Sequence, residues 1–171
     1  MKILKRLVLF ALVSSISLGA QTTTPSAASD PLAPIAWLAG GGWRGVARNA
    51  DGKTTKIETH VERILNGKTL GINSSFDCVM LYQGFFAYDA AKKTIVFSYP
   101  SANGGLVNGT VASMGGSLRW DFQVTESNGS VSHYQVHTIH DGADDYTWAL
   151  FAPQKDAWVK QFELHYHRTQ S

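Results

Sequence analysis

The sequence predicts an all-β protein, a ten-stranded antiparallel meander that closes into a barrel, with a short N-terminal helix as its plug. Nine turn signals follow Trp43 at short spacing, and apolar and polar residues alternate in most segments between them. No long helical pattern follows the N-terminus, so closure of the sheet is the available way to bury its apolar face. A two-sheet sandwich is the alternative, but it usually needs longer crossovers than any loop here.

Residues 1–20 have the pattern of a secretory signal peptide. A basic start precedes an apolar run and a small-residue exit at Gly19-Ala20. The apolar run is too short to span a membrane with such flanks. Cleavage is expected after Ala20 or near Ala27-Ala28. We therefore expect an exported protein, in the periplasm or outside the cell.

The rest of the chain predicts one domain behind a tether. Residues 21–33 are rich in Thr, Ser, Ala and Pro, a composition typical of a flexible linker. Residues 34–171 have the length of a single domain. We assign them to the barrel.

Without its signal peptide the chain is almost neutral. The sequence has 15 Lys and Arg against 13 Asp and Glu, and removing Lys2, Lys5 and Arg6 leaves 12 against 13. No basic patch favours nucleic acid or an anionic membrane surface, and we expect no stable membrane insertion. The one cysteine, Cys78, excludes an internal disulfide and is interpreted as a buried thiol. Pairing between chains and the oligomeric state stay open.

Asn-Gly and Asp-Gly pairs are among the turn signals that delimit the strands, because a type I′ hairpin turn needs positive φ at both central residues. Short connections imply that neighbours in sequence are antiparallel neighbours in space. The predicted strands are 43–49, 54–63, 68–76, 79–88, 94–100, 106–112, 117–124, 131–139, 145–151 and 157–168.

Alternation assigns one face of each strand to the interior. The apolar parity is clearest in the seventh, ninth and tenth strands. Its members there are Leu118, Trp120, Phe122 and Val124; Tyr146, Trp148 and Leu150; and Trp158, Phe162, Leu164, Tyr166 and Arg168.

One helix is predicted after the signal peptide, from Pro34 to Gly40, with Ile35, Trp37 and Leu38 as its apolar contacts. About two turns are marginal in isolation, so this helix must dock. We expect it to plug the end of the barrel beneath the first strand.

Several short motifs resemble known barrel families. Gly41-Gly42-Trp43 matches the G-x-W signature that opens the first strand of lipocalins and their calycin relatives. Leu38-Ala39-Gly40 before Trp-Arg-Gly resembles the opening of nitrobindin-type ten-stranded barrels. Uncharacterised bacterial lipocalin-like domains of the DUF1579 type are similar in Gly84 to Asp89, Lys92-Lys93, Gly105-Leu106 and Gly109-Thr110.

The resemblance covers about residues 34–168 and implies a calycin-like barrel. In that pattern, Trp43 points into the barrel floor and Arg168, on the apolar parity of the last strand, stacks over its ring. Both residues would then be structural.

The histidines do not predict a metal or haem site. His133 and His137 share a strand face but are about 13 Å apart at the rise of a strand, too far to share one ion. His165 and His167 lie on a face that reads as solvated. A haem of the nitrobindin kind would need a late-strand histidine in the cavity, and His165 has the outward parity. We therefore predict no metal and no cofactor.

No catalytic residues are predicted. The sequence has no G-x-S-x-G, and Asp77 beside Cys78 would raise the pKa of that thiol. The aromatic residues instead predict an apolar cavity wall, with Tyr82, Trp120, Trp148 and Tyr166 as ligand-binding candidates. The favoured function is binding of a small apolar or amphipathic molecule inside the barrel. The alternatives are an enzyme using the cavity for proton transfer or isomerisation, and haem binding.

Overall fold

A computed structural model describes residues 29–48 and 52–169, and it confirms the predicted closed antiparallel barrel. The strands follow one another around the barrel in sequence order, and β1 pairs with β10 to close it. They are β1 (Gly41–Arg48), β2 (Thr54–Ile64), β3 (Thr69–Phe76), β4 (Val79–Asp89), β5 (Thr94–Pro100), β6 (Leu106–Met114), β7 (Ser117–Thr125), β8 (Val131–His140), β9 (Asp145–Gln154) and β10 (Ala157–Thr169).

The predicted plug is a 3₁₀ helix, Ala33–Leu38, rather than an α-helix. Ile35 and Leu38 are buried in the core, and so is Leu32 just before the helix, at 1% exposure. The segment assigned to the linker therefore contributes a core residue. Asp30 is also held, by an ion pair of 2.6 Å to Arg63 at the end of β2. The predicted signal peptide and most of the linker lie outside the described residues.

The meander gives the barrel two distinct ends. The 3₁₀ helix lies at the start of β1, where the hairpin turns after β2, β4, β6 and β8 also lie. We call this the closed end. The turns after β3, β5, β7 and β9 lie at the opposite end, together with the end of β1 at Arg48 and the start of β2 at Thr54, and we call this the open end.

A bulge in β10 overturns one prediction of the alternation. Lys160 pairs with Phe151 and Phe162 with Leu150, which leaves Gln161 as the extra residue. An extra residue reverses the facing of every side chain before it. Trp158 was predicted to share the interior face with Phe162, but it is 44% exposed and does not line the interior.

Two further residues lie outside the interior. Tyr88 has the same parity in β4 as Tyr82, but it is 38% exposed near the closed end of that strand. The predicted burial of Cys78 is wrong, because its side chain is exposed and free. Asp77 and Cys78 form the tight turn between β3 and β4 and both have positive φ, +48° and +68°. A residue at the tip of such a turn has no interior to face.

No helix within residues 29–48 and 52–169 is long and apolar enough to span a lipid bilayer.

Candidate functional site: the barrel cavity

The candidate site is a cavity of about 470 Å³ inside the barrel. Every strand contributes at least one inward side chain to its wall, and Leu38 of the 3₁₀ helix lines it near the closed end. The wall is mostly aliphatic and aromatic, as in small-molecule sites of this size. Glycine keeps part of this interior open. At Gly45, for example, an added Cβ would lie 3.2 Å from the Tyr166 ring.

The four predicted ligand-binding residues all line this one cavity. Tyr82, Trp120, Trp148 and Tyr166 come from β4, β7, β9 and β10. Alternation along each strand brings them to the same interior, although they are far apart in sequence. Their placement is therefore as expected, while their contact with a ligand stays a prediction.

Trp43 forms the floor of the barrel, as the lipocalin resemblance implies. It is 1% exposed, and its Nε1 donates a hydrogen bond of 2.8 Å to the Leu38 carbonyl. The edges of Trp37 and Tyr146 pack against its ring at centroid distances of 5.8 and 4.7 Å. The Arg168 guanidinium lies 4.2 Å from the ring centroid. The indole is thus held on all of these sides, and it does not line the cavity.

A line of hydroxyl groups crosses the cavity wall. Thr59 on β2 and Ser74 on β3 are hydrogen-bonded at 2.8 Å, and the Thr59 hydroxyl lies near enough to Tyr166 on β10 to lower the pKa of its phenol. All three side chains line the cavity. These groups can exchange hydrogen bonds with a polar part of a ligand placed halfway along the barrel.

Burial keeps the tyrosines neutral. Loss of solvent raises the pKa of Tyr99, Tyr146 and Tyr166 well above the usual value, and the hydrogen bond from Thr59 opposes this in Tyr166. Burial, and then the charge of Glu126, raises the pKa of Tyr82. At neutral pH these phenols keep their protons, so they can donate and accept hydrogen bonds but do not act as bases.

One buried donor on the wall has no partner. The Nε1 of Trp120 is buried and makes no hydrogen bond to any described residue. Leaving such a group unpaired costs free energy, so it is a place where a ligand or a water would be favourable. The rings of Phe86 and Phe97 meet the Trp120 ring edge-on, each at 5.4 Å, and fix its orientation.

The open end carries a charge that the sequence reading missed. Glu126 follows β7 and is exposed, yet it lines the cavity together with Tyr82 and Phe76. The cavity therefore reaches solvent at this end. A signal was present, because Glu126 continues the even-numbered parity of Trp120, Phe122 and Val124. Other wall residues that the sequence analysis does not predict include Thr59, Ser74 and Tyr99.

The histidines on β10 lie outside the barrel, as their parity predicts. His165 Nδ1 is 3.1 Å from the Thr147 hydroxyl, which donates to Asp141 at 2.6 Å. His167 Nδ1 contacts the Asp145 carboxylate. Nowhere in the described chain do three histidine, cysteine or carboxylate side chains converge as a metal site requires. The described cavity wall has no imidazole that could be the proximal ligand of a haem iron, and the absence of a cofactor stays a prediction.

Comparison with known proteins supports the fold and no more. No protein-family model matches the sequence, and no curated protein matches it either. Among solved structures, the crystal structure of Rv2717c from M. tuberculosis is similar, with a TM-score of 0.54 and 14% sequence identity. The match covers 82% of this chain and 98% of that chain. At this identity the likeness shows a shared barrel fold. The resemblances to DUF1579-type and nitrobindin-type barrels stay predictions.

Proposed function

We propose that this protein binds a small apolar or amphipathic molecule inside its barrel. The observation that carries the proposal is the cavity of about 470 Å³, whose wall is formed largely by apolar and aromatic side chains. Burying apolar surface there stabilises a complex by roughly 25 cal/mol per Å² before the costs of association. The hydroxyl groups of Thr59, Ser74 and Tyr166 would orient the polar part of the ligand.

The N-terminal sequence supports a role outside the cytoplasm. The predicted signal peptide, residues 1–20, would direct the chain to the periplasm or the cell exterior. We further propose a lipocalin-like, calycin-type barrel. The G-x-W motif at Trp43 and the stacking of Arg168 over that ring support this assignment.

The proposal is tested by filling the cavity. Val124 lines the interior, whereas Val46 points outward on β1 and is 52% exposed. We expect wild type to bind decanol, used as a neutral amphiphilic probe, in isothermal titration calorimetry. Val124→Trp should weaken that binding at least about tenfold, a loss of about 1.4 kcal/mol. Val46→Trp makes the same change outside the barrel and should leave binding unchanged.

Native mass spectrometry of the protein purified from its own source is the complementary measurement. A retained small molecule that Val124→Trp excludes would support the proposal. Equal binding of decanol by both valine variants would place the molecule on the outer surface and contradict it, and so would a wild type that binds no amphiphile.

A further inference from the structure

The described cavity wall has a single side chain with a formal charge. Of the described residues that line it, Glu126 is the one carboxylate, and none is Lys, Arg or His. Arg48, Lys53 and Lys155 also lie toward the open end, but they are not part of the wall. A carboxylate in the wall at the mouth of an apolar cavity attracts a positive head group and repels a negative one.

Three aromatic rings line the same end of the cavity. The Tyr82 ring lies 6.0 Å from the Phe76 ring and 5.5 Å from the Tyr99 ring, both edge-on. We call Phe76, Tyr82 and Tyr99 the mouth rings. Aromatic faces attract cations electrostatically, most strongly where water is partly excluded. Glu126 is close enough to Tyr82 for its charge to act on that phenol, so carboxylate and rings act on the same region.

We propose that the ligand carries a basic amine, and that its ammonium group binds at the mouth between Glu126 and the mouth rings. Its apolar part then lies along the barrel toward the closed end. The ammonium donates hydrogen bonds to the Glu126 carboxylate and meets the ring faces, while a carboxylate head group at this place is repelled. This inference rests on the proposed function, because it assigns the head group of the same ligand.

The exposure of Glu126 determines how strongly the site should prefer an amine. Glu126 is open to solvent, so its pair with an ammonium is weaker than a buried pair would be, and the mouth rings add a similar contribution. Together they should favour an amine over a neutral head group by roughly tenfold in affinity. Added salt should reduce this preference, since exposed charges are screened.

The test compares three probes that share one alkyl chain, decylamine, decanol and decanoate, by isothermal titration calorimetry at neutral pH. Wild type should bind decylamine roughly tenfold more tightly than decanol, and decanoate most weakly. Glu126→Gln should reduce that preference to about threefold, the part that the mouth rings supply, and leave the affinity for decanol unchanged. Asp156→Asn is the matched control, because Asp156 is an exposed carboxylate at the same end that does not line the cavity. It should preserve the preference.

Circular dichroism establishes that each variant folds before its affinities are compared. The inference is overturned if wild type binds decylamine and decanol equally, or if Asp156→Asn reduces the preference as much as Glu126→Gln does. In both cases decanol still binds and the proposed function stands. If none of the three probes binds, the proposed function fails and the amine site fails with it.

Discussion

Arg168 and Trp43 are direct partners across the β1–β10 seam, and the guanidinium stacks on the indole at 4.2 Å from its centroid. The arginine also donates a hydrogen bond of 2.9 Å to the Trp37 carbonyl and pairs with Asp144 at 3.2 Å. It therefore ties the last strand to the 3₁₀ helix as well as to the floor. Its contribution to stability should exceed that of a cation–π contact alone.

A double-mutant cycle measures this coupling. Trp43→Ala removes a fully buried indole and should lower the free energy of unfolding by about 3–5 kcal/mol. Arg168→Ala loses the stacking and the hydrogen bonds and should cost about 1–3 kcal/mol. Because the side chains touch, the double variant should depart from additivity by at least about 0.5 kcal/mol. Urea denaturation followed by circular dichroism gives the free energy of unfolding of wild type, of each single variant and of the double variant.

Arg168→Lys is the control in this cycle. It keeps the charge but loses the planar guanidinium that reaches the Trp37 carbonyl. Its free energy of unfolding should therefore fall between those of wild type and Arg168→Ala. Additive effects of Trp43→Ala and Arg168→Ala would mean that the stack contributes no energy.

Gly109 in β6 is predicted to resist any substitution. A Cβ there would lie 2.5 Å from the Asp121 carbonyl and from the Phe122 Cβ, and 2.8 Å from the Phe97 ring. Gly109→Ala should therefore destabilise the barrel by about 1–3 kcal/mol or more. Gly71→Ala is the matched control in β3, since its nearest neighbour, Ile64, would be at 3.4 Å. Thermal unfolding that shifts equally in the two variants would contradict the steric argument.

The buried tyrosines predict a loss of stability at high pH. The folded chain holds the pKa of Tyr99, Tyr146 and Tyr166 above the usual value of 10.0, chiefly by burial. Once the pH exceeds that value, the unfolded chain releases protons that the folded chain keeps, so the free energy of unfolding falls as pH rises. Below pH 10 this contribution should be fully present.

Phenolate absorbance and urea denaturation across this range check the alkaline prediction. Tyr99→Phe removes one of these three phenols and should make the alkaline loss of stability shallower. An unchanged pH dependence in Tyr99→Phe would show that Tyr99 ionises at the same pH in the folded and unfolded chains.

Cys78 should react with a thiol reagent in the folded protein. Its side chain is exposed in the β3–β4 turn, so alkylation by iodoacetamide, followed by mass spectrometry, should proceed as fast in buffer as in denaturant. Cys78→Ser should leave the stability nearly unchanged. Labelling that occurs only after unfolding would instead support the buried thiol that the sequence predicts.

The strands and their order were predictable because each hairpin is local. A turn signal and a two-residue period within one strand suffice to place Leu118, Trp120 and Phe122 inside. The error at Trp158 has the same origin, since the bulge at Gln161 depends on the pairing with β9, which the sequence of β10 does not display. The burial predicted for Cys78 is wrong because free cysteines are usually buried, whereas this one lies in an exposed turn.

The wall of the cavity was predictable in part. Parity alone brought Tyr82, Trp120, Trp148 and Tyr166 to one interior, since a closed barrel has a single inside. The hydrogen bond between Thr59 and Ser74 joins two strands at a particular register. Small polar residues have no periodic pattern in the sequence from which that register could be predicted. Glu126 stands beyond the last residue of β7, where alternation is usually no longer followed.

The even number of strands places both ends of the described chain together. The chain comes in at Ser29 beside the 3₁₀ helix, and Thr169 pairs with Gly42 at the same closed end. A label attached at Ser29 or Thr169 is therefore separated from Glu126 by the length of the barrel. The same proximity suits the described domain to a circular permutant, in which Ser29 is joined to Thr169 and the chain is opened at a turn of the open end.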